Sequence, residues 1–103
     1  MLLSRLKYPQ KHDIVINKPN KYLHSFSDIE IPNGTQTLNL NNNFISDFTG
    51  LTNTNDLKKL TLVNNPILTF IDFPSTPELE NIDLTNTPIS ELRNFRALCL
   101  IVA

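Results

Sequence analysis

Three consecutive 22-residue stretches of this chain, 35–56, 57–78 and 79–100, can be written one above another without a gap. Leu38, Leu60 and Ile82 then share a column, and Leu40, Leu62 and Leu84 share the next but one. Asn43, Asn65 and Thr87 follow, then Ile45, Ile67 and Ile89, then Phe48, Phe70 and Leu92, and last Leu51, Phe73 and Phe95. Self-similarity at a fixed period means one supersecondary unit built several times, each burying its apolar face only against its neighbours. A chain of this kind must stack.

The spacing inside one copy gives the shape of the unit. Around the paired leucines the apolar period is two, so alternate side chains point to one face, as in a strand. After the asparagine the spacing becomes three (Ile67, Phe70, Phe73), which suits a tight helical turn better than a strand. Strand, corner and tight return make one coil. The expected class is therefore α/β: a solenoid of stacked coils with a parallel β-sheet of about four strands, at 14–17, 37–40, 59–62 and 81–84, on its concave side. Short helical turns or extended segments are expected on the convex side, with Pro66, Pro74, Pro77 and Pro88 in corners.

The second copy begins L-K-K-L-T-L-V-N-N-P-I over Leu57–Ile67. This resembles the core of the leucine-rich repeat, L-x-x-L-x-L-x-x-N-x-I/L, at every position. Its 22-residue length is similar to that of the subclass shared by phosphatase-1 regulatory proteins, spliceosomal small nuclear ribonucleoprotein A-prime and bacterial internalins. The resemblance covers residues 35–92, and 13–34 more weakly. It implies a protein-interaction module that binds on the concave face.

Upstream, Phe26 and Ile29 stand one full repeat length before Phe48 and Leu51, which marks residues 13–34 as a degenerate capping repeat. Ile14 and Ile16 stand further from Leu38 and Leu40 than one repeat length, so two extra residues are expected within 17–21, with the asparagine site near Pro19. The organisation read from sequence is an arm at 1–12, the cap at 13–34, three repeats at 35–100 and an apolar end at 101–103. Leu98-Cys99-Leu100 either begins a further strand or belongs to the third coil. A solenoid needs capped ends, so this apolar end is expected to be covered by a partner or folded back.

Composition narrows the function classes. The net charge of −1 divides into +4 over residues 1–24 and −5 over 25–103. The first segment holds Arg5, Lys7, Lys11, Lys18 and Lys21 against Asp13. Such an arm suits RNA phosphates or an acidic protein; it equally suits a solvated terminus. No apolar run approaches the ~20 residues that span a bilayer, and Met1–Pro9 lacks a signal-peptide core, so an intracellular, cytoplasmic or nuclear, location without membrane contact is expected. A lone Cys99 excludes an intramolecular disulfide framework. Asn33-Gly34-Thr35 matches a glycosylation acceptor, and Asn-Gly is also a common turn pair.

Catalysis finds no support in the residues. His12 and His24 lie in the irregular N-terminal part; Ser25 and Asp28 adjoin His24 without a nucleophile elbow or glycine-rich loop. One cysteine and two scattered histidines make no zinc site, and no cofactor is implied.

The candidate partner surface is instead the concave row. It comprises Thr37, Asn39, Asn41 and Asn42; Lys59, Thr61, Val63 and Asn64; and Asn81, Asp83, Thr85 and Asn86. It lacks the tryptophan, tyrosine and arginine that dominate binding hot spots, so a merely solvated face is the rival reading. Arg93 and Arg96 suggest a small basic patch or surface salt bridges. Asn43, Asn65 and Thr87 are read as a structural ladder in which a corner amide satisfies backbone groups that the turn leaves unpaired.

The expected function is a non-catalytic protein–protein interaction module, a small subunit or scaffold of a larger assembly. Alternatives are a ribosomal or spliceosomal ribonucleoprotein subunit whose arm contacts RNA, a phosphatase-regulatory subunit, and an internalin-like adhesin.

Overall fold

The computed structural model describes residues 14–89 and the backbone of residues 101–102. Arg5, Lys7, Lys11, Arg93, Arg96, the arm at 1–12 and Leu98–Leu100 lie outside them. The described strands are β1 (Ile14–Asn17), β2 (Thr35–Asn39), β3 (Lys59–Thr61), β4 (Asn81–Asp83) and β5 (Ile101–Val102). They form one sheet in the order of the chain, and every pairing is parallel.

Parallel neighbours need a long connection between them. Here almost all of it is turn and extended backbone: among the described residues the only helical element is a 3₁₀ turn, Phe26–Asp28. Pro66, Pro74, Pro77 and Pro88 lie outside the strands and this turn, as their missing donors require.

Register follows the repeat. Leu38 pairs with Leu60, and Leu60 with Ile82, one full repeat apart each time. Leu38, Leu40, Leu60, Leu62, Ile82 and Leu84 are all fully buried. The columns behind them form the rest of the core: Ile45, Ile67 and Ile89, then Phe26, Phe48 and Phe70. The phenylalanine column is a stack. Phe26 and Phe48 lie 6.0 Å apart and Phe48 and Phe70 5.7 Å, both nearly parallel, while Phe73 meets Phe48 edge-on at 4.8 Å. Offset and edge-to-face geometries suit the ring quadrupoles better than a face-to-face sandwich.

β2, β3 and β4 are each entered through a turn closed by the same kind of hydrogen bond. Thr35, Leu57 and Leu79 donate their backbone N–H to the carbonyls of Pro32, Thr54 and Thr76, three residues earlier. In the first of these turns Thr35 stands where the others have leucine. It is fully buried, and its hydroxyl donates to Pro32 O at 2.7 Å.

Two sequence expectations are corrected. The cap contains no two-residue insertion: Ile16 pairs with Leu38 and Asn17 with Asn39, again one full repeat apart, with an irregularity only between Ile14 and Val15. The position matching Leu40 is therefore the exposed Lys18, the position matching Asn43 is Lys21 and not Pro19, and Leu23 takes the Ile45 position. In the first coil the apolar alternation Ile14–Ile16 fits either offset. Hydrogen bonds across the corner decide it, with Lys18 N–H on Asn39 O and Asn20 N–H on Asn41 O.

The second correction is the strand count. The sheet has five strands where about four were expected, the fifth being Ile101–Val102. Ile82 pairs with Ile101, an interval shorter than the full repeat.

Candidate functional site: the open face of the sheet and its asparagine corner

Strand residues alternate between faces. With the leucine columns buried, Thr37, Asn39, Lys59, Thr61, Asn81 and Asp83 occupy the opposite face, where Lys59 is exposed and the others are half-buried. Several of the candidate residues on this face and at the strand exits also serve the backbone.

The column 39–61–83 shapes the exit of each strand. Asn39 Oδ1 accepts from Asn41 N at 3.1 Å, and Asp83 Oδ1 accepts from Thr85 N at 3.0 Å and from the Thr85 hydroxyl at 2.6 Å. This is the turn that asparagine and aspartate favour by bonding backbone two residues on. Thr61, standing between them, does not make that bond. Val63 N–H is satisfied by Asn41 Oδ1 of the preceding coil at 2.9 Å. Thr61 Oγ1 is buried without a hydrogen-bond partner. Asn41 is thus a structural residue, since its amide substitutes for a bond that threonine fails to supply. Asn39 Nδ2 also donates to Asn17 Oδ1 at 2.9 Å, which ties β2 to β1.

Asn42, Asn64 and Asn86 form a column set by conformation. Their φ angles are 60°, 62° and 61°, and Asn20, one coil earlier, has 58°. Left-handed backbone is costly for most L-residues and tolerated best by glycine and asparagine. These amides are exposed, and Asn64 Nδ2 donates to Asn42 Oδ1 at 2.6 Å. Position 42 is asparagine because the corner turns there.

Asn43 and Asn65 are the buried amides. Asn43 Oδ1 accepts from Lys21 N and Leu23 N at 2.9 and 3.0 Å; its Nδ2 donates to Lys18 O and Leu40 O at 3.0 and 2.9 Å, with a longer 3.3 Å contact to Asn41 O. Asn65 Oδ1 accepts from Ile45 N at 3.1 Å and Nδ2 donates to the same Leu40 O at 2.9 Å. The two share a carbonyl and each reaches into the coil before it. Thr87, in the third copy, turns its hydroxyl to Leu84 O of its own coil at 2.8 Å. Among the described residues the Thr87 side chain makes no hydrogen bond to the preceding coil.

Lys18 and Lys21 are exposed at the first corner, where Asn43 holds their backbone. Ser25 and Asp28, near His24, are a helix cap. Asp28 Oδ2 accepts from His24 N and Ser25 N, and Ser25 Oγ accepts from Ser27 N; this is the reciprocal capping box.

One surface feature escaped sequence reasoning. Tyr22 and His24 each stack on Phe44, with ring centroids 6.2 and 5.3 Å apart. Tyr22 is 77% exposed at φ 59°, an unusual backbone for a bulky residue. The signal was available: Tyr22, Phe44, Pro66 and Pro88 are one column, ring-bearing in every coil. Phe44, Pro66 and Pro88 line a shallow groove with Asn64 and Asn86.

Among the described residues no group of three or more histidine, cysteine or acidic side chains is placed to hold a metal, and no helix is long and apolar enough to cross a membrane. Comparison with protein-family models, curated proteins and solved structures finds no match.

Proposed function

We propose that the chain is a leucine-rich-repeat solenoid acting as a non-catalytic protein-interaction module, a small subunit or scaffold of a larger intracellular assembly, and that it binds a protein through the open sheet face. One observation carries this reading. On that face Thr37, Lys59 and Asn81 form an outward row with no element packed over it among the described residues, while Asn41 and Asp83 brace the strand exits beside it. A polar, regularly spaced and rigid surface recognises a partner without a preformed pocket, and its geometry repeats with the coil. The short stack adds support, because a modest core gains stability by mass action when a partner binds the folded state.

The test is affinity capture followed by mass spectrometry, run on the native chain and two variants checked for unchanged thermal unfolding. Thr37→Arg/Lys59→Glu/Asn81→Arg alters the open face, and Thr52→Arg alters an exposed position away from it. Loss of a captured protein with the first variant and its retention with the second is the expected result. Retention with both refutes the face as the binding surface. The RNA-contacting alternative is favoured by the exposed Lys18 and Lys21, which extend the basic arm. It predicts binding that falls steeply with salt and disappears when residues 1–12 are removed.

A further inference from the structure

The turns that open β2 and β3 are closed by the same hydrogen bond and differ at one chemically decisive position. In the first, Pro32-Asn33-Gly34-Thr35, Thr35 N–H bonds Pro32 O at 3.3 Å; in the second, Thr54-Asn55-Asp56-Leu57, Leu57 N–H bonds Thr54 O at the same distance. Asn33 and Asn55 occupy the same place in the two turns, and both are exposed. The following residue is glycine in one and aspartate in the other.

Gly34 is required by its turn. Its φ is +90°, where an L side chain is strained, and a Cβ there would stand 3.3 Å from Ile14 Cδ1. Aspartate at position 56 has no such backbone. The fold thus demands, immediately after an exposed asparagine, the one residue whose nitrogen carries no side chain beside it. No described residue accepts a hydrogen bond from the Gly34 N–H.

We propose that Asn33 is a self-modification site, at which the chain converts its own side-chain amide to an acid through a cyclic imide. The Gly34 backbone nitrogen loses its proton and attacks Asn33 Cγ. A Cγ–N bond forms, the Cγ–Nδ2 bond breaks, and the amide nitrogen leaves as ammonia. Water then opens the five-membered imide at either carbonyl, leaving an aspartyl or an isoaspartyl residue at position 33. The only co-reactant is water.

The consequence lies at the junction of the first two strands. Thr35 is fully buried and tied to Pro32 O by both its N–H and its hydroxyl. An isoaspartyl link adds a backbone methylene inside the turn that both bonds close. Conversion therefore places a new negative charge on the surface and loosens the seam where Ile14 meets Thr35.

The test is peptide mapping by mass spectrometry of the folded chain held in mildly alkaline buffer, with Asn55 as the internal comparator. The expected result is an amide-to-acid mass gain at Asn33 well before any at Asn55, divided between aspartyl and isoaspartyl products. Asp56→Gly should then bring Asn55 to a similar rate. An Asn33 that stays amide in the folded chain but converts in urea overturns the proposal, because the turn then holds nitrogen and carbonyl carbon apart. Equal conversion of Asn33 and Asn55 in the native chain also overturns it.

Discussion

Replacing Asn43 with alanine should cost far more than replacing Asn41, although the two stand two residues apart in a run of three asparagines. Asn43 is buried, at 3% exposure, and makes four side-chain hydrogen bonds of 3.0 Å or less, all to backbone groups. Two of them satisfy the N–H groups of Lys21 and Leu23, and two satisfy the carbonyls of Lys18 and Leu40. A net ~1 kcal/mol for each bond gives about 4 kcal/mol, and more if the orphaned groups stay dry. Asn41 contributes one such bond, to Val63 N, so its loss costs about 1 kcal/mol. A chain of this size has a total stability of ~5–15 kcal/mol, so the first variant sits near the edge of folding. Urea unfolding followed by circular dichroism measures both, with the midpoint shift read at constant slope. Equal costs at the two sites would show that water replaces the Asn43 amide, and the account of the corner would be wrong.

Other perturbations follow from single features of the structure. Thr61→Val removes a buried hydroxyl without a partner and keeps its shape, so unfolding midpoints should stay level or rise; a loss above ~1 kcal/mol would reveal a bond to that oxygen. Asn64→Ala should cost ~1–2 kcal/mol, because alanine resists a φ of 62°, whereas Asn64→Gly should cost less. Phe48→Ala removes the ring in contact with Phe26, Phe70 and Phe73 and should cost ~3–5 kcal/mol in the same denaturation assay. Gly50→Ala should lower the same midpoint, since its Cβ would collide with Ser27 Oγ at a φ of +89°.

The repeat was enough to foresee parallel strands near 37, 59 and 81, the buried leucine and isoleucine columns, and the phenylalanine column back to Phe26. It was also enough to mark Asn43 and Asn65 as structural and Thr87 as the weaker member. These readings rest on side-chain period and on spacing within one coil, and such information is local. The open face was legible for the same reason, since residues 37, 59 and 81 alternate with buried ones.

What the sequence left undecided involves partners in a neighbouring coil. Matching Ile14 and Ile16 to Leu38 and Leu40 set the first strand two residues out, and the corner bonds of Lys18 and Asn20 to Asn39 and Asn41 fix the true offset. The fifth strand entered short of a full repeat, at Ile101, an interval no repeat pattern announces. The sequence set Asn43 apart as structural and grouped Asn41 with Asn42 on the partner surface, whereas the fold gives each of the three a different task. Asn41 supplies the acceptor that Thr61 fails to provide, Asn42 takes the left-handed turn, and Asn43 fastens two coils together. An apolar side chain is placed by its period, because burial has no direction. An amide is placed by its hydrogen-bond partners, and those that Asn41 and Asn43 find in the neighbouring coils are distant along the chain.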